Sequence, residues 1–201
     1  MLLDKEEEPI VSCAASAPST PIGVVITAIA HHPNADLAVT PDLKRAGNVL
    51  VLVGRTETEF GGSHFALITG EGDAGPVPAP DSNSPARYRA LHTLLRTGRV
   101  RACHDLSEGG LAVAVAEMCI GGRLGAAIDT LPHNDITTAL FSESTGRFVC
   151  EIAPQDVTWF FDGLGEPATV LGTVTGDPLL RLAGFDIPLD ELRSAFQGGP
   201  R

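Results

Sequence analysis

The chain has 201 residues, enough for one large domain or two small ones, and its hydrophobic content of 43% can build a substantial core. A net charge of −11 argues against nucleic acid or an anionic membrane surface as a partner, because phosphates are bound by basic surfaces. No apolar run approaches the length of a membrane span, and the acidic start lacks the pattern of a signal peptide. The four cysteines have no metal-binding spacing, so we expect free thiols in a reducing, cytoplasmic protein.

The first twenty residues differ in composition from the rest of the chain. They are acidic at the start and then rich in Ala, Ser and Pro, so we expect a flexible segment or linker over residues 1–20 and a folded domain over residues 21–201. Runs of β-branched and apolar residues predict strands at residues 22–30 and 49–54, the second buried on both faces. A third short strand is predicted at residues 64–69.

Strands alternate with helices through the rest of the chain. Apolar residues at three- and four-residue spacing predict a helix over residues 86–97, capped by Ser84. A strand at residues 100–105 and a helix at residues 108–120 follow. The remaining predictions are strands at 124–128, 148–153, 169–175 and 179–182, and helices at 135–140, 155–164 and 189–196. This alternation predicts an α/β (α+β) fold in which helices cover a mixed β-sheet.

The segment HDLSEGGL, residues 104–111, is the most informative part of the chain. It joins a predicted strand to a predicted helix, so its glycine turn is expected at the end of the strand. Ligands of α/β proteins usually bind at such strand ends, and helix N-termini offer unpaired N–H groups that suit phosphate. Two interpretations stay open: the amides of the turn bind phosphate, or Ser107 caps the helix and the glycines permit close packing.

Four segments resemble, in the same order, the synthetase subunit of the phosphoribosylformylglycinamidine synthase family. They are TPDLKRAGN at residues 40–48, LVGRTETEFGGS at 52–63, HDLSEGGLAVAVAEM at 104–118 and LFSESTGRF at 140–148. The resemblance covers residues 21–201 and implies the fold of the C-terminal domain of aminoimidazole ribonucleotide synthetase-related proteins. Selenophosphate synthetase and thiamine-phosphate kinase share the glycine turn, but residues 140–148, which we call the serine-glutamate segment, favour this branch of the superfamily.

The resemblance implies an ATP-dependent carbon–nitrogen ligase of de novo purine biosynthesis. Such an enzyme converts formylglycinamide ribonucleotide, ATP and ammonia derived from glutamine to formylglycinamidine ribonucleotide, ADP and phosphate. ATP and Mg²⁺ are therefore the expected cofactors of the full enzyme, with none assigned to this domain. A glutaminase subunit or domain is the expected source of ammonia.

The resemblance extends only to the last C-terminal domain of the family's synthetase. The ATP-binding and N-terminal synthetase domains are the partners that it implies, and we expect the isolated chain to be inactive. A sheet edge or apolar face without those domains favours self-association. The alternative is a stand-alone binding or scaffold module of the same superfamily, without an active site.

The resemblance also implies site residues, each of which has a structural alternative. Asp105 is the candidate ligand for Mg²⁺, which requires oxygen ligands, or else a turn carboxylate. His104 is expected to be hydrogen bonded rather than catalytic and to face away from Asp105. Arg147 is expected to pair with Glu143 or to reach a phosphate. No residue is predicted to be catalytic, and the candidates for substrate or phosphate binding are Ser107, Glu108, Gly109, Gly110, Glu143, Ser144, Thr145 and Arg147.

Overall fold

The computed structural model describes residues 12–15, 24–27, 29, 31, 34–70, 75–166 and 168–198. The chain divides into two units, Met1–Asp36 and Leu37–Arg201. In the first unit, β1 (Ser12–Ala15) pairs antiparallel with β2 (Val24–Thr27). β2 lies within its predicted strand, whereas β1 falls in the predicted linker, the rest of which lies outside the described residues. The boundary predicted at residue 20 stays a prediction.

The second unit alternates strands with helices, as predicted. Its described strands are β3 (Val49–Val53), β4 (Val100–Asp105), β5 (Gly125–Ile128), β6 (Phe148–Ile152), β7 (Ala168–Thr175), β8 (Leu179–Leu182) and β9 (Phe185–Pro188). Its described helices are α1 (His64–Thr69), α2 (Ser84–Leu95), α3 (Gly110–Gly122), α4 (Ile136–Phe141), α5 (Val157–Leu164) and α6 (Leu189–Phe196). A short 3₁₀ turn at Pro154–Asp156 also belongs to this unit, and another at Ala35–Leu37 contains the boundary between the two units.

The seven strands form one mixed sheet in the order β4-β6-β3-β7-β5-β8-β9. All neighbouring strands are antiparallel except the β5–β8 pair, which is parallel. Leu50 and Leu52 of β3 pack in a core with α3 and α6, whereas Val51 and Val53 pack in a second core with α2 and α5. Helices therefore cover both faces of the sheet, and the predicted fold class is confirmed. Across the described ranges, none of the helices has the length and hydropathy of a membrane span.

Residues 64–69 form helix α1, so the strand predicted there is wrong. The Ser63 hydroxyl accepts a hydrogen bond from the Ala66 N–H at 3.1 Å, which caps the first turn of the helix. Gly70 ends it in the left-handed conformation, with φ of +73°. The two caps outweigh the strand-like apolar pattern of this segment.

Smaller differences lie at the ends of other elements. The N-cap position of α2 is Asn83, and Ser84 is the first helical residue. α3 continues through Gly122, two residues beyond its predicted end, and Arg123 is its C-cap. Strand β9 was not predicted. Cys119 is a buried free thiol, as expected, and burial raises its pKa to about 12, which keeps it protonated and unreactive.

Candidate functional site

Three of the segments that carry the resemblance meet at one end of the sheet, which we call the glycine-turn end. Phe148, the first residue of β6, pairs with both Val53 at the end of β3 and Asp105 at the end of β4. The Leu106 N–H then donates to the Arg147 carbonyl at 3.0 Å. Because β6 pairs antiparallel with both β3 and β4, its start lies beside the ends of those two strands. The connections that follow β3 and β4 therefore lie close to the connection that precedes β6.

Glu143 links the glycine turn to α1. Its Oε1 accepts hydrogen bonds from the Gly109 N–H at 2.8 Å and from the His64 N–H at 2.9 Å. The Gly110 N–H donates to the Ser107 carbonyl at 3.2 Å. The N–H groups of Gly109 and Gly110 are therefore engaged within the chain, and the Glu143 carboxylate lies at the N-terminus of α3, where a phosphate could otherwise bind. Phosphate binding by these amides stays a prediction, and it would require Glu143 to move.

The two glycines of the turn cannot be replaced freely. Gly109 and Gly110 have φ of +80° and +64°, a left-handed conformation that other residues rarely adopt. A Cβ atom on Gly110 would lie 2.5 Å from the Ser142 carbonyl oxygen and 2.9 Å from that of Leu140. A Cβ atom on Gly109 would press on the Val113 side chain. The turn thus packs directly against the backbone that joins α4 to β6.

Ser107 and Glu108 are exposed, and neither side chain makes a hydrogen bond or ion pair within the part of the chain that the structure describes. The N-cap position of α3 belongs to Gly109, without a side-chain cap, so the predicted capping role of Ser107 is wrong. Ser107 instead closes the turn through its carbonyl group. The participation of both side chains in ligand binding stays a prediction.

Ser142 and Ser144 of the serine-glutamate segment are buried, and both form hydrogen bonds to the backbone of Glu57 in the connection that follows β3. The Ser142 hydroxyl donates to the Glu57 carbonyl at 2.6 Å, and the Ser144 hydroxyl accepts from the Glu57 N–H at 3.1 Å. The two hydroxyl oxygens lie 3.0 Å apart. The Ser144 hydroxyl therefore bonds the backbone in this structure, which favours a role in fixing the turn between α4 and β6 over a role in substrate binding.

Arg147 is the largest fully buried side chain at this end of the sheet. Its Nε donates to the Ser144 carbonyl at 3.0 Å, its Nη1 donates to Thr56 Oγ1 at 3.0 Å, and its Nη2 donates to the Ser142 carbonyl. Burial lowers the pKa of Arg147 to about 10, against the opposing effect of nearby carboxylates, so the side chain is charged at neutral pH. It binds carbonyl oxygens rather than forming the predicted ion pair with Glu143.

A small cavity of about 200 Å³ borders the serine-glutamate segment. Thr145, whose hydroxyl donates to the Ala79 carbonyl at 3.0 Å, lies on its wall beside Ser144. The charged side chains on the wall are those of Arg55, Glu57, Glu59 and Asp81. An excess of carboxylates disfavours a phosphate group and suits a ligand that donates hydrogen bonds. Substrate binding by Thr145 stays a prediction.

Asp105 and His104 end β4 beside α3. His104 Nε2 lies 2.8 Å from Glu117 Oε2, which confirms the hydrogen-bonded histidine. Its Nδ1 lies 3.4 Å from Asp105 Oδ1, so the expectation that the two side chains face opposite sides is wrong, because the strand ends at Asp105. The described residues contain no group of three side chains able to hold a metal ion. Asp105 offers one exposed carboxylate, and magnesium binding there would need ligands from elsewhere.

Arg87 is a buried residue of this region that the sequence did not predict. Its Nη2 lies 2.7 Å from Asp81 Oδ2, its Nε bonds Glu166, and its Nη1 donates to the Gly146 carbonyl at 3.2 Å. It thereby joins α2 to the serine-glutamate segment. The sequence does indicate that Arg87 is buried, because it lies four residues before Leu91 and therefore on the same, core-facing side of α2.

A family model described as AIR synthase related protein, C-terminal domain, matches residues 45–184. The chain belongs to this family. The matched range runs from the loop before β3 through β8 and contains both the glycine turn and the serine-glutamate segment. The family resemblance drawn from the sequence is confirmed.

Relatives with longer chains place this AIR synthase related domain in a wider context. The phosphoribosylformylglycinamidine synthase subunit PurL of Frankia casuarinae is 41% identical in an alignment of 159 residues, and the match covers 76% of this chain and 20% of that protein. The chain thus spans about a fifth of the length of this relative. Two Thermotoga maritima PurL structures share the fold: the FGAR complex (TM-score 0.66, 23% identity) and the ATP complex (TM-score 0.60, 21% identity). Each match covers 85% of this chain. The FGAR match covers 30% of the Thermotoga chain, and the ATP match covers 28%.

Replacing Glu143 with glutamine tests the link between the glycine turn of this family domain and α1. The neutral amide oxygen forms weaker bonds to the Gly109 and His64 N–H groups, and we expect Glu143→Gln to lower the free energy of unfolding by about 1–2 kcal/mol. Urea denaturation measures the change. The matched control is Glu108→Gln, which removes the same charge from an exposed neighbouring side chain. Equal effects of the two variants would contradict the role given to Glu143.

Proposed function

We propose that this chain is the C-terminal domain of a phosphoribosylformylglycinamidine synthase. The whole enzyme would convert formylglycinamide ribonucleotide, ATP and glutamine-derived ammonia to formylglycinamidine ribonucleotide, ADP and phosphate. The 41% identity to the Frankia PurL subunit is the observation that carries the proposal. The FGAR and ATP complexes of Thermotoga PurL support the choice of substrates.

In this proposal the domain forms one wall of a shared cleft at its glycine-turn end. The hydrogen bonds of Glu143 and Arg147 hold that wall in place, and the small cavity beside Thr145 is lined by residues of the same segment. Leu67 and Ile68 of α1 are 76% and 83% exposed, although both are large and apolar. Such a surface supports the proposal that the ATP-binding and N-terminal domains of a longer synthetase cover this side.

ATP would supply the phosphoryl group of the reaction in the full enzyme, with Mg²⁺ shielding its charge. The glycine turn of this domain does not fit either group as it stands, since the N–H groups of Gly109 and Gly110 are engaged and the described residues hold no three-ligand metal cluster. We therefore assign nucleotide and metal binding mainly to the other domains, and ammonia supply to a glutaminase partner. The domain's own contribution is to position the cleft wall.

A domain exchange tests this proposal. The segment of Frankia PurL that matches this chain is replaced by residues 37–198, and amidine formation is measured with glutamine or ammonia as the nitrogen source. We expect the chimera to keep kcat/KM within about tenfold of the parent, since a tenfold change corresponds to only about 1.4 kcal/mol. The 201-residue chain alone is expected to form no amidine.

The control is the same PurL subunit without the exchanged segment, which we expect to be inactive. A chimera that accumulates and melts like the parent, yet forms no amidine, would overturn the proposal and support the stand-alone scaffold module. Amidine formation by the isolated chain would contradict the division of roles between the domains.

A further inference from the structure

A basic pocket lies at the end of the sheet opposite the glycine turn. It has a volume of about 650 Å³ and is lined by residues 44–48 before β3, by Arg101 near the start of β4, and by residues 153–155 after β6. β4 runs from Val100 to Asp105, so the length of the strand separates this pocket from the candidate site. We propose that the basic pocket binds a small anion through one or more phosphate groups.

The charge of the wall supports an anionic ligand. Lys44, Arg45 and Arg101 line the pocket, and no carboxylate does, in a chain whose net charge is −11. Within the described ranges, the side chains of Arg45 and Arg101 are exposed and make no hydrogen bond or ion pair. Lys44 is the exception, because its ammonium group lies 2.8 Å from Asp42 Oδ1. Two guanidinium groups therefore remain for a ligand, and guanidinium binds phosphate with paired N–H donors.

The buried Glu151 fixes the loop that carries two of these cations. Its carboxylate accepts hydrogen bonds from the Lys44 N–H at 2.7 Å, the Arg45 N–H at 3.0 Å and Asn48 Nδ2 at 2.5 Å. The side chain of Glu151 is fully buried in β6. Its charge is thus satisfied by the backbone and by an amide, not by the guanidinium group of Arg45, and the loop is ordered before any ligand arrives.

Arg101 reaches the pocket from a β-bulge. The pairing of β4 with β6 shifts between Val100 and Ala102, which leaves Arg101 as an extra residue in the edge strand. Bulges turn a side chain away from the regular alternation of a strand and are common beside functional sites. The second free guanidinium group is therefore placed on the wall of the pocket by a local irregularity of the sheet.

The wall of the pocket also restricts the class of ligand. It contains no aromatic ring on which a nucleobase could stack, and its polar residues besides the cations are Asn48 and Gln155. Recognition would therefore rest on phosphate groups rather than on a base. Inorganic phosphate and pyrophosphate are suitable probes, because they carry this chemistry without other binding groups.

Titration of the full 201-residue chain with pyrophosphate at low ionic strength tests the proposal. Calorimetry measures affinity, and two-dimensional N–H spectra locate the site. We expect shifts at the amides of residues 44–48, Ala153 and Gln155, and binding that weakens as salt is added. The Arg45→Ala/Arg101→Ala double variant should bind at least about tenfold more weakly, a loss of about 1.4 kcal/mol. A parallel titration with inorganic phosphate shows whether one phosphate group is sufficient.

The matched control is the Arg89→Ala/Arg96→Ala double variant, which removes the same charge from exposed positions that do not line the pocket. We expect it to keep the wild-type affinity within about twofold, since its effect acts only through net charge. The proposal is overturned if neither probe binds at up to about 10 mM, a limit of weak millimolar affinity. Equal losses in the two double variants, or shifts confined to the glycine turn, would overturn it as well.

Discussion

Replacing Gly110 with alanine is expected to lower the free energy of unfolding by about 4 kcal/mol or more, because two effects add. The left-handed φ of +64° disfavours any residue with a Cβ atom, at a cost of about 1–2 kcal/mol. The new methyl group would also lie 2.5 Å from the Ser142 carbonyl oxygen, and backbone atoms cannot move aside as a flexible side chain can. A domain of this size has a total stability of about 5–15 kcal/mol, so the loss is a large part of the whole.

Alanine substitutions at two other glycines separate the cost of the left-handed conformation from the cost of the steric contact. Gly98 has φ of +72° and open space around its Cα, so Gly98→Ala carries the conformational cost alone, about 1–2 kcal/mol. A Cβ atom on Gly109 would lie 2.3 Å from Cγ2 and 2.9 Å from Cβ of Val113, and a rotation of the Val113 side chain relieves only the first of these two contacts. We expect the loss of stability, measured by urea denaturation, to increase in the order Gly98→Ala, Gly109→Ala, Gly110→Ala. Equal losses at Gly98 and Gly110 would show that the packing against α4 and β6 does not matter.

Much of the fold was predictable because local patterns and long-range contacts agree. The apolar run of β3 is buried on both faces, and helices α2 and α5 cover one face while α3 and α6 cover the other. The span of β4 and the position of α6 were predicted to the residue. The failure at α1 is instructive, since a short continuous run of apolar residues at 65–68 competed with a serine cap and a terminal glycine, and the caps decided the outcome.

The candidate site was less predictable than the fold, because its contacts join residues far apart in sequence. The resemblance named Glu143 and Gly109 separately, but nothing in the sequence indicates that the carboxylate accepts a hydrogen bond from the glycine amide. The same holds for Arg147, whose acceptors include two carbonyl groups of its own segment. Residue types show which groups can form hydrogen bonds, whereas the folded backbone determines which partners they find.

Replacing Arg147 with methionine is expected to lower the free energy of unfolding by about 3 kcal/mol, through the loss of hydrogen bonds to Ser142, Ser144 and Thr56. Two effects oppose each other here. Methionine removes a buried charge, and the lowered pKa of Arg147 shows that burying this charge is unfavourable. Methionine also leaves two buried carbonyl oxygens without their donor, at about 1–3 kcal/mol each. We expect the second effect to dominate, because the guanidinium group spans all three acceptors.

Arg147→Lys distinguishes charge from geometry at this position. Lysine keeps the positive charge but lacks the planar fork, so it reaches fewer of the acceptors and should recover less than half of the lost stability. Arg89→Met, an exposed substitution on α2, is the control and should stay within about 0.5 kcal/mol of the wild type. Chemical denaturation at neutral pH measures all three variants. A more stable Arg147→Met protein would mean that desolvation of the charge outweighs its hydrogen bonds, and that Arg147 is retained for a ligand rather than for the fold.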